Sequence, residues 1–244
     1  MDRTPTGAAV PANALDAVPG QRGGPARPAS IPRPRQVFRP RHLLPTPAGT
    51  PFTFGYGALL AVTSAFASYA PPALTHALYQ ASSTDAAHLL RAPVPVLVAS
   101  ALWVAGGVFS PFTAAFVLAL TALERRVGAA RAFGVFLAGH VLATLATELP
   151  VGGAVLLGDL PPTSLHRLDY GISFGVAAVV AALCGLLRPR YGYPLLALVA
   201  AFLLHNLLTH PDPMTNWGHL IALTIGTRTW RPLREVSGGP ARSR

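Results

Sequence analysis

The chain has 244 residues, of which 51% are hydrophobic and only 11% charged. A soluble domain carries roughly 25% charged residues, so this composition excludes an ordinary soluble domain and predicts a membrane protein. The net charge of +10 rests on 19 basic residues, all of them arginine. They cluster in short segments beside apolar runs, the distribution that sets membrane topology, and with no nucleic-acid fold signature the charge does not imply a nucleic-acid partner.

Residues 1–51 are rich in Pro, Gly, Ala and Arg and contain no apolar run. So many prolines forbid a helix, and the segment reads as a disordered basic tail. Its long charged region without a short apolar core is not a secretory signal. Tail arginines are drawn to anionic lipid at the cytoplasmic face. A membrane helix needs about 20 mostly apolar residues, and six such segments follow, making residues 52–231 a membrane domain. The first is residues 52–70. The stretch 94–123 is too long for one plain helix and contains Gly106, Gly107 and Pro111. It divides into an interfacial or re-entrant part, 94–108, and a second span centred on 110–123. The third to sixth spans are 130–149, 170–187, 193–208 and 217–230, and residues 232–244 read as a disordered basic C-terminal tail. The single cysteine, Cys184, lies inside an apolar run, where it is a small core residue.

The loops alternate in charge. Seven arginines precede residue 52; Arg125, Arg126 and Arg131 follow the second span, Arg188 and Arg190 the fourth, and five arginines the sixth. The intervening loops hold only Arg91 and Arg167. The positive-inside rule places both termini in the cytoplasm of a multi-pass plasma-membrane protein.

With this topology the fourth and sixth spans both enter from the outer side. Ser173 and His219, near their starts, lie at similar shallow depth. Gly218, Ala222 and Gly226 recur every four residues beside His219, and Gly171 and Gly175 flank Ser173. Such small-residue stripes let helices approach closely in lipid. If the two faces meet, the imidazole reaches the hydroxyl and activates it as a nucleophile. In the packing alternative, Ser173 back-bonds to a helix carbonyl and His219 caps or packs at the interface.

Three stretches together resemble the rhomboid family of intramembrane proteins: "GISFG" at 171–175, "GHLIALTIG" at 218–226, and "LERRVGAARAFGVFLAGHV" at 123–141. The resemblance implies an all-α, six-transmembrane-helix bundle. It matches Ser173 to the family nucleophile, His219 to the general base, and Glu124 and Gly128 to an E-x-x-x-G turn. It implies cleavage of membrane-anchored substrates near the outer surface, with no metal or organic cofactor. Against the family pattern, Phe174 stands where active members have glycine and Ala177 where they often have tyrosine. The second span, "VFSPFTAAFVLALTALE", lacks the oxyanion histidine and asparagine. One oxyanion donor is typically worth two to three orders of magnitude in rate. The Ser173 amide remains, with Ser110, Thr113 and Asn216 as replacement candidates.

Asp169, four residues before Ser173, reads as an N-cap or as a third, supporting carboxylate. His140 needs a partner inside the third span. His166 and Arg167 read as solvated loop residues. His205, Asn206 and His210 do not have zinc-site spacing, so no metal is expected. Three functions follow: an intramembrane serine protease using Ser173 and His219; an inactive rhomboid-like protein that binds client transmembrane helices; and a small transporter using His140, His205 and Asn206, against which stands the absence of an internal repeat.

Overall fold

In a computed structural model of the chain, residues 44–107, 109–209 and 212–237 are described, together with Met1. Most of the N-terminal tail, His210 and the last residues of the C-terminal tail lie outside them. The described residues are helical, with no strand among them. In chain order the helices are α1 (Pro51–Tyr69), α2 (Pro72–Ala81), α3 (Ala86–Arg91), α4 (Pro93–Ser100), α5 (Pro111–Ala115), α6 (Thr121–Val127), α7 (Ala129–Leu157), α8 (Ser173–Leu186), α9 (Pro189–Thr209), α10 (Pro213–Arg228) and α11 (Trp230–Ser237). A π-helical turn, Phe116–Leu120, joins α5 to α6, and a 3₁₀ turn, Pro162–His166, lies between α7 and α8.

Proline starts many of these helices. Pro51, Pro72, Pro93, Pro111 and Pro213 each stand in the first turn, where a missing N–H costs nothing and the fixed φ is already helical. Glycine punctuates the ends. Gly128 separates α6 from α7 at φ +85°, and Gly158 closes α7 in the left-handed region. Between α4 and α5 the chain turns through Gly106 and Gly107, both at positive φ. The long apolar stretch 94–123 therefore breaks into a short helix, an irregular turn and a helical run. Pro150 does not end α7, which continues to Leu157 and so passes the boundary expected at residue 149. Apolar surroundings tolerate such an interior proline when neighbouring groups satisfy the freed backbone. At the C-terminus, α11 is a correction to the expected disordered tail from residue 232. Its Leu233 is buried, and Arg234 Nε donates to the Gly185 carbonyl at 2.8 Å, anchoring the amphipathic turn.

Among the described residues α7 and α9 are long and apolar enough to cross a membrane, and α8 is a shorter apolar helix. The core is the trio α7, α8 and α10. From Phe174 to Gly185, α8 is buried apart from Val180, as expected of a helix that is apolar all round. Gly139 brings α7 onto it: a Cβ there would strike the Ala178 methyl and crowd the Phe174 carbonyl.

Glu124, expected to anchor the turn after the second span, caps a different helix. Its Oε1 accepts from the Phe52 amide at 2.9 Å, and its Oε2 accepts from the Thr53 amide at 2.8 Å and the Thr53 hydroxyl at 2.6 Å. A carboxylate at the positive end of α1 satisfies amides that have no intrahelical partner. Glu124→Ala leaves those donors unpaired and is expected to lower stability by about 2–3 kcal/mol, measured by denaturant unfolding in detergent micelles. An unchanged midpoint would contradict the capping role.

Candidate functional site

Ser173 is the first residue of α8 and is half-buried. The chain enters the helix through Gly171 at φ +114°, whose amide donates to the Ser100 carbonyl at 3.0 Å. His219 lies in the second turn of α10 and is 5% exposed. The two helices pack closely. Gly218 lies against the Phe174 ring, and Gly226 against the Ala178 carbonyl and the Ala181 methyl. Ala222 between them is fully buried. His219 itself is enclosed by aromatic rings. Phe112 from α5 stacks on the imidazole at 5.4 Å between centroids and 10° between planes, and Phe174 meets it edge-on at 5.1 Å and 78°. Neither ring nitrogen has a hydrogen-bond partner among the described residues, so no bond joins it to the Ser173 hydroxyl.

The supporting candidates serve local structure. Ser110 Oγ accepts from the Phe112 amide at 3.2 Å, capping α5; Thr113 Oγ1 donates to the Gly107 carbonyl at 3.1 Å; and Asn216 Nδ2 donates to the Asp212 carbonyl at 2.7 Å. Asp169 does not cap α8. Ile172 occupies that position without a side-chain cap, and Asp169 instead faces Thr84, whose hydroxyl lies 3.3 Å from Oδ2. The glycines near Ser173 also differ from expectation. Gly171 lies outside α8 against Trp103 and Ala105, and Gly175 receives the Phe136 ring of α7. The face that α8 turns to α10 is made by Phe174, Ala178 and Ala181. His140 is bonded to the α4 segment: its Nε2 lies 3.0 Å from the Leu97 carbonyl and 3.2 Å from Ser100 Oγ. His205 is exposed on α9.

A family model described as rhomboid-like protein matches residues 48–238, most of the chain. The chain belongs to the rhomboid-like protein family. No curated protein and no solved structure matches it.

The rhomboid-like chain also carries a partly buried charge cluster built around Arg167, a residue expected to be solvated. Its guanidinium pairs with Glu148 of α7, bonds Asp212 at 3.2 Å and the Thr215 hydroxyl at 2.8 Å, and lies 3.7 Å from Asp169. Asp212 in turn caps α10 by accepting from the Thr215 amide at 3.2 Å. One side chain thus links α7, the α7–α8 connection and the start of the helix that bears His219. The connection is also tied down through its backbone. Ser83 Oγ donates to the Arg167 carbonyl and accepts from the Asp169 amide, each at 3.0 Å, and the Thr84 amide donates to the Asp169 carbonyl at 2.7 Å. Burial would lower the Arg167 pKa, but Asp169 and Glu148 outweigh it and hold it above its usual value. Burial pushes the Asp169 carboxyl above the usual carboxylate range. Burial also pushes Asp212 up, but the Thr215 bonds and the Arg167 charge prevail and keep it below that range. The signal for this cluster was a lone acid, Glu148, in an apolar run, followed by a lone arginine in the next loop. Intramembrane ionisable residues are seldom without a partner.

Proposed function

We propose that this rhomboid-like protein spans the plasma membrane six times with both termini in the cytoplasm, and that it binds client transmembrane helices without cleaving them. The arginine-rich loops support the topology. The observation that carries the non-proteolytic reading is the enclosure of His219 between Phe112 and Phe174, with neither nitrogen bonded to Ser173. A serine hydroxyl is a weak nucleophile at neutral pH unless a base takes its proton, and the side chains considered as oxyanion donors, Ser110, Thr113 and Asn216, are engaged in local hydrogen bonds. Client helices meet the bundle at α9, of whose apolar window only 11% is buried, against 50% for α7.

One observation favours the protease reading: α8 and α10 pack face to face, and His219 keeps an unused lone pair within the same pair of helices as Ser173. A fluorophosphonate probe separates the two. Purified protein in liposomes, as wild type, Ser173→Ala and His219→Ala, is expected to show no labelling that depends on both residues. Wild-type labelling lost in each variant would establish an activated serine and overturn the binding-only reading.

A further inference from the structure

The end of the bundle away from Ser173 and His219 is basic without counter-charges. Three turns lie there, α6–α7, α8–α9 and α10–α11, and eight exposed arginines border them. The last helix, α11, ties this end together. It packs against α6 and α8, and Trp230 Nε1 donates to the Ala181 carbonyl at 2.8 Å while Arg234 holds the Gly185 carbonyl. Among the described residues the same end has two acids, Glu124, buried as a cap, and Glu235. None of the eight arginines forms an ion pair among the described residues. Charge of one sign concentrated in this way repels itself and attracts an anionic partner.

The arginines differ in what they already hold. At the α6–α7 turn each guanidinium donates to a backbone carbonyl, Arg125 to Leu44 at 3.1 Å, Arg126 to Ala122 at 2.8 Å and Arg131 to Val127 at 3.2 Å. Where α8, α9 and α11 meet, Arg188 and Arg231 have no hydrogen bond among the described residues, and Arg190 lies over the Tyr191 ring at 4.7 Å. Aromatic side chains gather at the same junction. Tyr191 and Tyr193 are exposed, and the Tyr193 ring is 6.0 Å from that of Trp230. Tyrosine and tryptophan beside arginine mark the headgroup level of a bilayer. From this level α9 runs into the apolar region with a largely exposed apolar surface. A guanidinium binds phosphate through two parallel N–H bonds, so a phosphate joined to hydrocarbon chains matches both the free arginines and the apolar helix. A choline headgroup carries its own cation beside the phosphate and matches them less well.

We propose that the junction of α8, α9 and α11 binds an anionic phospholipid, its phosphate held by Arg188, Arg190 and Arg231 and its acyl chains along the first turns of α9. The inference needs the helices to sit in a bilayer; it depends neither on which side of the membrane this end faces nor on whether the protein cleaves its clients. The test is native mass spectrometry of the full chain in detergent micelles with phosphatidylglycerol or phosphatidylcholine of identical acyl chains. Wild type is expected to retain phosphatidylglycerol about tenfold more than phosphatidylcholine, the factor that one arginine at a membrane surface supplies. The triple variant Arg188→Gln, Arg190→Gln, Arg231→Gln is expected to abolish the preference. The triple variant Arg125→Gln, Arg126→Gln, Arg131→Gln removes the same charge from the same end and is expected to keep it. Thermal unfolding in the same micelles checks that both triples fold, as exposed side chains should allow. Excess inorganic phosphate is expected not to displace the lipid, because it brings no acyl chain. Equal retention of the two lipids by wild type overturns the proposal, whatever the variants do. Equal loss in the two triples would show a diffuse field of charge, and displacement by inorganic phosphate a site for the free anion; either result also overturns it.

Discussion

Arg167→Ala is expected to destabilise the protein by about 3–5 kcal/mol, the usual penalty for removing one partner of a buried ion pair. The size of the effect comes from what is left behind. Glu148 has a fully buried side chain and pairs with Arg167; without the guanidinium its carboxylate has neither water nor a counter-charge. Asp212 loses its charged partner and Thr215 a hydrogen bond, which loosens the first turn of α10 below His219. Unfolding by denaturant in detergent micelles reads the loss. Adding Glu148→Gln to Arg167→Ala removes the stranded charge and is expected to recover a substantial part of it. If the double variant is no more stable than the single one, the loss is not electrostatic and the cluster is not the clasp described above.

Gly226→Val is the second large effect, expected at about 3 kcal/mol, at the upper end of overpacking costs. A Cβ at this position falls on the Ala178 carbonyl oxygen and beside the Ala181 methyl. Backbone of a buried helix cannot swing aside as a side chain can, so α8 and α10 must separate along their length. Gly218→Ala is expected to cost less, because it meets the Phe174 ring, which has rotamers to use. Gly134→Ala serves as the control: nothing lies within 4 Å of its Cβ, and alanine is the better helix former, so stability is expected to hold or rise. Thermal unfolding of the three variants side by side reads the order. A Gly226→Val protein as stable as Gly134→Ala would mean that the two helices do not meet at this glycine.

Much of the helical architecture was legible because it is local. Prolines at first-turn positions and glycines at 128 and 158 mark helix limits through backbone sterics alone, and apolar runs locate α1, α8, α9, α10 and the start of α7 to within a few residues. Pro150 misled because an interior proline ends a helix only where the freed carbonyl cannot be satisfied, and that depends on neighbours. The α11 turn was hidden because its reason to fold is remote: Leu233 needs a core and Arg234 needs the Gly185 carbonyl. The stripe Gly218, Ala222, Gly226 identified a face for close packing. Which helix it meets, and through which residues of α8, did not follow from the period-four spacing on α10.

The candidate site divides along the same line. The amino-acid sequence by itself determined an arginine-flanked, apolar, all-helical chain whose stretches around Ser173, His219 and Glu124 resemble rhomboid motifs, because composition, periodicity and short motifs are properties of neighbouring residues. Only the tertiary structure decided that Phe112 and Phe174 enclose His219, that Arg167 is shared by Glu148, Asp169 and Asp212, and that His140 turns one nitrogen to Leu97 and leaves the other without a partner. Each of these brings in a partner from a distant part of the chain. Burial then sets their chemistry: an imidazole or a carboxylate withdrawn from water takes its behaviour from whichever groups the packing places beside it.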